Sequence, residues 1–509
     1  MYRHRPALGG SMTVFASLSL LLVASFLLTL LEAARVKGLD AYSRMQRINA
    51  MESVFSEYDR ELFEQYGIFL LDGSYGSETL QFSQINARLQ SFSQQNLSPV
   101  SSVSLWQNTQ NFYRMDVPNV SVTGYLLATD YEGAPFRQMA VASMKARYPA
   151  ELAEKLYDGL QSAEGAMARA QESQATMDEA QEQIRVAKEE QARLAQEQEE
   201  TEEPEQELPP DVSVENPMDV VKSLKDADIL TLVMPSGRAV SSRSIQGITT
   251  LEHRSLLQGN ETWNKTGGWY EAVLYQQFLQ TQFGCYGSES AHRGALDYQL
   301  EYIQAGKQTD RENLKSVVRQ LLLLREGANF IYLQTDVQKQ QEAYSVATAL
   351  AAAVGIAPAA GVIAQGILAA WAYVESILDV RTLLAGGKIA WMKTAEGWSS
   401  SLSGLASLLA GNARAKEQEY GDDYKDYLQK LLYLKSERIL NYRAMDLIEL
   451  TTGPEHSGSR RMDAMILALR ADFCYEAEPI FSDMVTLQNM QVERWEFADS
   501  SYYSYFLKE

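Results

Sequence analysis

An uncharged apolar run near the N-terminus constrains this chain more than any other feature. Residues 11–31 read SMTVFASLSLLLVASFLLTLL and contain no charged side chain. A helix rises ~1.5 Å per residue and needs about 20 residues to cross the hydrocarbon of a bilayer, so this run is long enough. Arg3 and Arg5 precede it, and such positive charge keeps an N-terminus in the cytoplasm. The sequence predicts a single-pass cell-membrane anchor, a basic cytoplasmic leader at 1–10 and an extracytoplasmic bulk.

A cleaved secretory signal is the competing interpretation of this run. The apolar core of a signal peptide has ~7–15 residues and ends at a site with small residues. The run here is longer, and Leu31-Glu32-Ala33 would be a poor cleavage site, so we favour the anchor. Proline is absent from 32–66 and apolar residues recur at helical spacing, which predicts one continuous helix over 11–66. Gly67 would then end it as a C-terminal cap, and its second half would form a spine for the outer part.

Composition narrows the class of protein. The chain has 509 residues, 46% of them hydrophobic, which is enough for two or three domains with real cores. Its formal net charge is −21, and a nucleic-acid partner requires a basic face. The charge therefore argues against a nucleic-acid partner and against broad adhesion to anionic lipid, and the membrane is an expected partner through the apolar run alone.

Over the first two-fifths of the chain the composition and the hydrophobic pattern change several times. We expect residues 32–134 to form the helical spine and a small α+β region, with strands at 68–71 and 117–127 and a helix at 80–92. Residues 135–195 predict a long helix with a weak heptad seam of alanine, glutamine and lysine. A weak antiparallel hairpin or a lone solvated helix fits that seam as well as an oligomerising coiled coil does. Dense acid together with Pro204, Pro209 and Pro210 makes 196–218 an expected disordered linker.

Residues 219–509 predict a helical α+β domain. We expect strands at 228–234 and 296–303, a helix at 311–333 capped by Asp310, and a long helix at 420–451 with Asp422 or Asp423 near its start. Residues 462–473 fit a helix or a strand, and the aromatic tail at 495–506 fits an edge strand. The uncharged segment 343–374 is rich in alanine and divided by Pro358. We interpret 343–385 as buried helices, with a membrane hairpin as the alternative. The whole chain is therefore α+β and mostly helical.

The sequence offers no constellation of residues with an evident chemistry. It lacks a phosphate-binding glycine loop, a nucleophile elbow, a zinc-protease helix and cysteine pairs at metal spacing. We therefore predict no catalytic, cofactor-binding or metal-binding residue. Cys285 and Cys474, the two cysteines, could form one disulfide outside the cell, but we favour two unrelated thiols.

The N-terminus resembles that of a bacterial protein family. Gly10-Ser11 followed by the apolar helix, and then Glu32-Ala-Ala-Arg-Val, is similar to the TadE and TadG minor pilins of the tight-adherence (Flp) pilus, and more distantly to type IV pilin-like subunits. The resemblance implies that a prepilin peptidase cuts between Gly10 and Ser11. Phe15 departs from the pattern, because pilins usually carry a glutamate there. Segments 296–302, 313–314 and 370–381 resemble an uncharacterised clostridial family of membrane-anchored proteins found near such pilus genes.

These observations lead to three hypotheses about function. The first is a non-enzymatic, minor-pilin-like or accessory component of a Tad/Flp-type pilus or secretion assembly, which binds partner subunits through its transmembrane helix and outer domain. The second is a membrane-tethered extracellular hydrolase acting on cell-wall material. The third is an integral membrane protein in which 343–374 is also inserted.

Overall fold

The computed structural model describes residues 9–97, 113–201, 216–264, 267–289, 294–405, 413–452, 460–481 and 493–506. The described chain is mostly helical with one antiparallel sheet, which confirms the α+β class. It divides into two compact units, each discontinuous in sequence. Unit 1 comprises Met1–Met139, Ser255–Asn264 and Gly453–Glu509, and unit 2 comprises Ala140–Arg254 and Lys265–Thr452.

Unit 1 is built from one sheet and the helices beside it. Its helices are α1 (Gly9–Phe55), α2 (Arg60–Tyr66), α3 (Phe82–Leu97) and the start of α4 (Asp130–Lys145). Its strands are β1 (Leu71–Asp72), β2 (Met115–Leu127), β3 (Met465–Ala477) and β4 (Trp495–Ser504). β3 lies in the centre, with β2 on one side and both β1 and β4 on the other, all antiparallel to it. The predicted strand at 117–127 and the aromatic edge strand are confirmed, and 462–473 is mainly strand.

Alternation along β3 forms the core of unit 1. Leu469, Ala471, Phe473 and Tyr475 are buried, while the residues between them are at least partly exposed. This apolar face packs on the second half of α1 and on α3. The helical residues in the same buried cluster are Leu39, Ala50, Met51, Val54, Phe55, Ile85, Leu89 and Leu97.

The predicted continuous helix over 11–66 is wrong, because α1 ends at Phe55 and α2 begins at Arg60. Asp59 is extended, and its side chain accepts a hydrogen bond from the Leu62 N–H at 3.0 Å, so it starts a new helix. Its own N–H donates to the Leu70 carbonyl at 2.8 Å. Gly67 is the predicted C-cap, with φ of 70°. The strand expected at 68–71 is reduced to β1, because only its end pairs with β3.

Unit 2 is helical. After the end of α4 come α5 (Ala150–Thr201), α6 (Pro217–Lys225), α7 (Ile229–Val233), α8 (Trp269–Gln282), α9 (Gln299–Ala305), α10 (Asp310–Thr335), α11 (Val337–Ala353), α12 (Ala360–Leu384), α13 (Tyr424–Tyr433) and α14 (Glu437–Thr452). Helices α5, α10 and α12 pack on one another, and α11 packs on α12.

Two strands predicted in unit 2 are helices instead. Segment 228–234 contains α7, and 296–303 leads into α9. In α9 the alternating polar residues are buried like the apolar ones. The Gln299 side chain accepts from the Gly284 N–H at 3.1 Å, and Glu301 accepts from the Tyr286 N–H at 2.8 Å. Alternation predicts a strand when the polar residues face solvent. In α9 the polar residues are buried and make tertiary hydrogen bonds, so the alternation does not indicate a strand.

The weak heptad seam is an intramolecular contact, and α5 is solvated on one side only. The seam faces α10 and α12. Its small residues allow a close approach, since an added Cβ on Gly327 of α10 would lie 1.8 Å from the Ala166 carbonyl oxygen. The buried residues of this α5 face include Leu160, Ala163, Ala166, Ala170, Ser173, Met177, Ala180 and Ile184.

Both predicted bounds of the disordered linker at 196–218 are wrong. Helix α5 continues to Thr201, and α6 begins at Pro217 with Asn216 as its cap. The Asn216 side chain accepts from the Met218 N–H at 3.1 Å, and Met218 is fully buried. Residues 202–215, the middle of the predicted linker, lie outside the described residues.

The alanine-rich segment forms α11 and α12, separated by a short 3-10 turn at Ala357–Ala359 that contains Pro358. Helix α12 is apolar and long enough to cross a membrane, but 83% of its most apolar window is buried inside the protein. It contacts α5, α10 and α11. It is therefore a core helix of unit 2.

Two further predictions for the C-terminal half need correction. The helix expected at 420–451 is broken into α13 and α14. Asp423 caps α13, because its side chain accepts from the Asp426 N–H at 3.0 Å while Asp426 accepts from the Asp423 N–H at 3.1 Å.

The domain expected at 219–509 does not include the C-terminal strands, because β3 and β4 belong to unit 1. β3 pairs with β2 across more than 300 residues, a contact that local patterns do not reveal.

Candidate functional site

Helix α1 has two halves with different surroundings. Over 12–31 its large apolar side chains are exposed: Met12 by 79%, Phe15 by 73% and Leu22 by 70%. The most apolar window of this helix has a mean hydropathy of 2.5, and none of it is buried within the protein. From Glu32 onward one face of the helix is buried against unit 1. An apolar surface of this length without a cover is characteristic of a helix that contacts lipid or another apolar helix.

The predicted processing site lies at the start of α1. Gly10 and Ser11 are in its first helical turn, and residues 1–8 of the basic leader lie outside the described residues. Phe15 is on the exposed apolar surface, where a charged glutamate would have interrupted it. Cleavage between Gly10 and Ser11 stays a prediction.

Glu32, the first charged residue after the apolar run, joins α1 to the C-terminal part of unit 1. Its side chain is only 3% exposed. The carboxylate accepts hydrogen bonds from Arg35 Nη1 at 2.8 Å, from the Phe481 N–H at 2.7 Å and from Trp495 Nε1 at 3.1 Å. Burial by itself raises the pKa of Glu32, but the backbone hydrogen bonds from Phe481 and Ile480 and the Arg35 cation outweigh it and lower the pKa. Glu32 therefore stays ionised, and its hydrogen bonds hold α1 against unit 1 at the point where the apolar run ends.

Aromatic side chains surround this junction. Arg35 Nη2 donates to the Tyr113 carbonyl at 2.6 Å, and the Tyr113 ring lies 4.7 Å from that of Tyr42. Tyr113 is 42% exposed and Trp495 is 36% exposed. Tyrosine and tryptophan at this level suit a membrane–water interface, because each has an apolar ring and a polar group.

Unit 2 contains a buried cluster of four charges, which we call the α12 charge cluster: Arg325, Glu375, Asp379 and Lys393. All four are buried. Arg325 Nε lies 3.0 Å from Asp379 Oδ2, and Lys393 Nζ lies 2.6 Å from Asp379 Oδ1 and also pairs with Glu375. Burial alone would raise the pKa of Asp379, but Lys393 and Arg325 lower it. The four formal charges cancel, which is what allows them to lie in a core.

Neutral groups complete this cluster. Glu375 accepts from the Ser400 N–H at 2.9 Å, and Asp379 accepts from Asn329 Nδ2 at 2.9 Å. Arg325 Nη1 donates to the Tyr427 hydroxyl at 2.9 Å. An acid–base pair in catalysis must reach a substrate. These groups are satisfied by one another away from solvent, so they hold α10, α12 and α13 together.

Three other buried carboxyl groups of unit 2 make no salt bridge within the described residues, and Lys225 near Glu326 and Arg254 near Asp446 lower the pKa by less than burial raises it. Burial raises the pKa of Glu301, Glu326 and Asp446 to about 7 in each case. Glu301 accepts from the Tyr424 hydroxyl at 2.8 Å, and Asp446 accepts from the Leu251 N–H at 2.8 Å. Glu326 accepts from the Ser173 hydroxyl at 3.0 Å. Sequence reasoning missed all three, because nothing in their local pattern distinguishes them from exposed acids.

The two cysteines are free thiols in different units. Cys285 follows α8 and is buried, and burial raises the pKa of its thiol. Cys474 lies on β3 opposite Asn119 and Ala498 and is partly exposed. The considered disulfide is not formed. Across the described segments, no group of three or more His, Cys, Asp and Glu side chains is arranged to hold a metal ion.

Comparison with known proteins adds a family and no activity. Residues 208–477, more than half of the chain, match a family described as a family of unknown function (DUF5702). No curated protein and no solved structure matches the chain. The matched region includes α6 to α14 and β3, and it begins well after the apolar part of α1. The chain therefore belongs to the DUF5702 family.

Proposed function

We propose that this chain is a non-enzymatic, membrane-anchored surface protein, held by residues 11–31 with its N-terminus in the cytoplasm and its folded units outside. We further propose that it acts as a minor-pilin-like or accessory component of a Tad/Flp-type pilus or secretion assembly. One observation carries the proposal: α1 is apolar and uncovered over its first half and packed on unit 1 over its second half.

The free energy of exposing the apolar side chains of α1 to water supports the membrane anchor. Removing one large apolar side chain from water stabilises a structure by about 1.5–3 kcal/mol. The exposed side chains of this half include Met12, Val14, Phe15, Leu18, Leu20, Leu21, Leu22, Val23, Phe26, Leu27, Leu30 and Leu31. Leaving all of them in water is strongly unfavourable, and a bilayer covers every side of a helix. The aromatic residues beside Glu32 fit the outer interface.

The geometry of α1 also supports the pilin-like part of the proposal. A protruding apolar helix can be covered by lipid or by the helices of neighbouring subunits, so one segment can serve both as an anchor and as an assembly surface. The TadE/TadG resemblance at Gly10-Ser11 adds a processing route. The alternative, a wall hydrolase, draws no support from the buried acids of unit 2, because they lie away from solvent.

A pair of arginine variants tests the anchor. Leu21→Arg/Leu22→Arg places two charges in the middle of the uncovered half, at about 2.5–3.5 kcal/mol each for insertion. We expect this variant to leave carbonate-washed membranes. The matched control, Met45→Arg/Ile48→Arg, changes two residues that are half-exposed on the packed half of α1, and it should stay in the membrane. Wild-type protein in the soluble fraction would overturn the anchor.

The pilus assignment needs its own experiment. N-terminal sequencing of the mature protein should begin at Ser11 when the prepilin peptidase is present, and crosslinking in the native membrane should capture pilus or secretion subunits. An intact Met1 together with repeated absence of such subunits would refute this part of the proposal and leave the anchor standing.

A further inference from the structure

A cleft of about 280 Å³ lies on unit 2 between α5, α6, α7, α10 and α12. Its polar lining comes from Gln174, Lys225, Arg319 and Tyr373, and its apolar wall includes Ile229 and Leu322. We call it the α10 cleft. Its combination of an apolar wall and a few converging polar groups is typical of small-molecule sites, and its volume is near the lower end of their range.

Within the described residues the two cations of this cleft make no salt bridge, and Lys225 acts on the buried Glu326 electrostatically. Lys225 and Arg319 are exposed, and neither makes an ion pair or a hydrogen bond within the part of the chain that the structure describes. Some cations elsewhere on unit 2 are neutralised locally: Arg185 pairs with Glu182, and Lys315 pairs with Asp228. In a chain with a net charge of −21, two unpaired cations at one cleft make a local site for an anion.

Neutral hydrogen-bonding groups lie beside the cations. The Tyr373 side chain is 6% exposed, and its hydroxyl makes no hydrogen bond with any described residue. Lys225 Nζ lies 5.6 Å from the centre of the Tyr373 ring. Gln174 uses its amide nitrogen toward Glu326, at 3.4 Å, which leaves its amide oxygen for other partners.

Glu326 lies beneath the lining, fully buried. The charged and titratable groups that act on it are Asp178 from α5, Lys225 from α6 and Tyr373 from α12. Burial raises its pKa to about 7, so at mildly acidic pH it is protonated and adds no negative charge below the cleft.

We propose that the α10 cleft binds a small organic anion, with its carboxylate or phosphate group between Lys225 and Arg319 and a short apolar tail against Ile229 and Leu322. Tyr373 and Gln174 would hydrogen-bond the polar end. The ligand is an anionic amphiphile, either water-soluble or the end of an anionic lipid. This inference does not depend on the proposed pilus role.

Calorimetric titration of the full chain in phosphatidylcholine nanodiscs with hexanoate tests the site, with hexanol as the uncharged probe. We expect hexanoate to bind and hexanol to bind at least about tenfold more weakly, since each hydrogen bond to a charged group contributes about 1.5–3 kcal/mol. Lys225→Met/Arg319→Met should weaken hexanoate binding by at least about tenfold. The control Lys222→Met/Arg185→Met removes the same charge from exposed positions of unit 2 outside the cleft, and it should bind as wild type does.

The inference is overturned if wild type does not bind hexanoate at millimolar concentration, if hexanol binds equally well, or if both double variants lose affinity equally. Adding phosphatidylglycerol to the discs identifies the source of the anion once binding is established. An increase in the apparent Kd for hexanoate supports a lipid ligand, and an unchanged Kd supports a water-soluble one.

Discussion

Gly327 marks the closest approach of α10 to α5. A Cβ at this position would lie 1.8 Å from the Ala166 carbonyl oxygen, 2.7 Å from its carbonyl carbon and 3.0 Å from the Ala170 nitrogen. All three are backbone atoms, so no side chain can move aside. The helices would have to separate, and Glu326 next to this glycine would lose its contact with Ser173.

Gly327→Ala should therefore destabilise unit 2 by about 1–3 kcal/mol, despite the higher helix propensity of alanine. Gly165→Ala is the matched control, because it is also in a helix and no atom of the described residues lies within 4 Å of the added Cβ. It should be neutral or stabilise by up to about 1 kcal/mol. Chemical denaturation followed by circular dichroism measures both, and a Gly327→Ala variant as stable as wild type would contradict the close packing.

Helix α3 protects the free edge of β2 with a row of amide side chains. Asn86 Oδ1 accepts from the Val122 N–H at 2.9 Å, Gln90 Nε2 donates to the Val117 carbonyl at 2.8 Å, and Gln94 Oε1 accepts from the Val117 N–H at 3.2 Å. The three amides are four residues apart and so share one face of the helix. They satisfy backbone groups that would otherwise be open to pairing with another chain.

Asn86→Leu tests this arrangement at the level of the element. Removing the acceptor leaves the Val122 N–H unsatisfied, at a cost of about 1–3 kcal/mol. We expect faster amide hydrogen exchange at Val122 and its neighbours in β2. Gln95→Leu is the control, because Gln95 is exposed and, among the described residues, its side chain bonds to Ser91 of its own helix alone. Equal exchange in the two variants would show that the amide row does not stabilise β2.

At the scale of the whole molecule, the buried acids of unit 2 make stability depend on pH. The pKa values of Glu301, Glu326 and Asp446 are about 7 in the folded state and near 4 in an unfolded chain. The folded state therefore holds protons that the unfolded chain releases. The resulting stabilisation is complete below about pH 4 and is lost as pH rises to about 7.

We expect the thermal midpoint of unit 2 to decrease as the pH rises from 5 to 8 and to change little above pH 8. Asp379 and Glu32, whose pKa values are lowered, lose their contribution only at more acidic pH. Glu326→Gln should reduce the decrease, and the triple variant Glu301→Gln/Glu326→Gln/Asp446→Asn should nearly abolish it. A midpoint that rises from pH 5 to pH 8 in wild type would contradict the sign.

Local patterns determined much of this protein by themselves. The uncharged length of 11–31, the spacing along α5 and α10, the alternation in 117–127 and the caps at Gly67 and Asp423 depend on neighbours within a few residues. Such neighbours are fixed by covalent geometry, so these helices and the two caps can be predicted from them, whereas the breaks after Phe55 and Tyr433 were not. The apolar run is also the part of the candidate site that the sequence predicted.

Only the tertiary structure decided the rest. The sheet of unit 1 joins strands from opposite ends of the chain, and α9 is a helix because its polar side chains bond to distant backbone groups. The α12 charge cluster brings together side chains from two helices and a loop, and the α10 cleft brings together side chains from five helices. A charged residue has the same local pattern whether it is solvated or buried beside a counter-charge. Its surroundings, and hence its pKa and its role, are set by contacts between segments far apart in sequence.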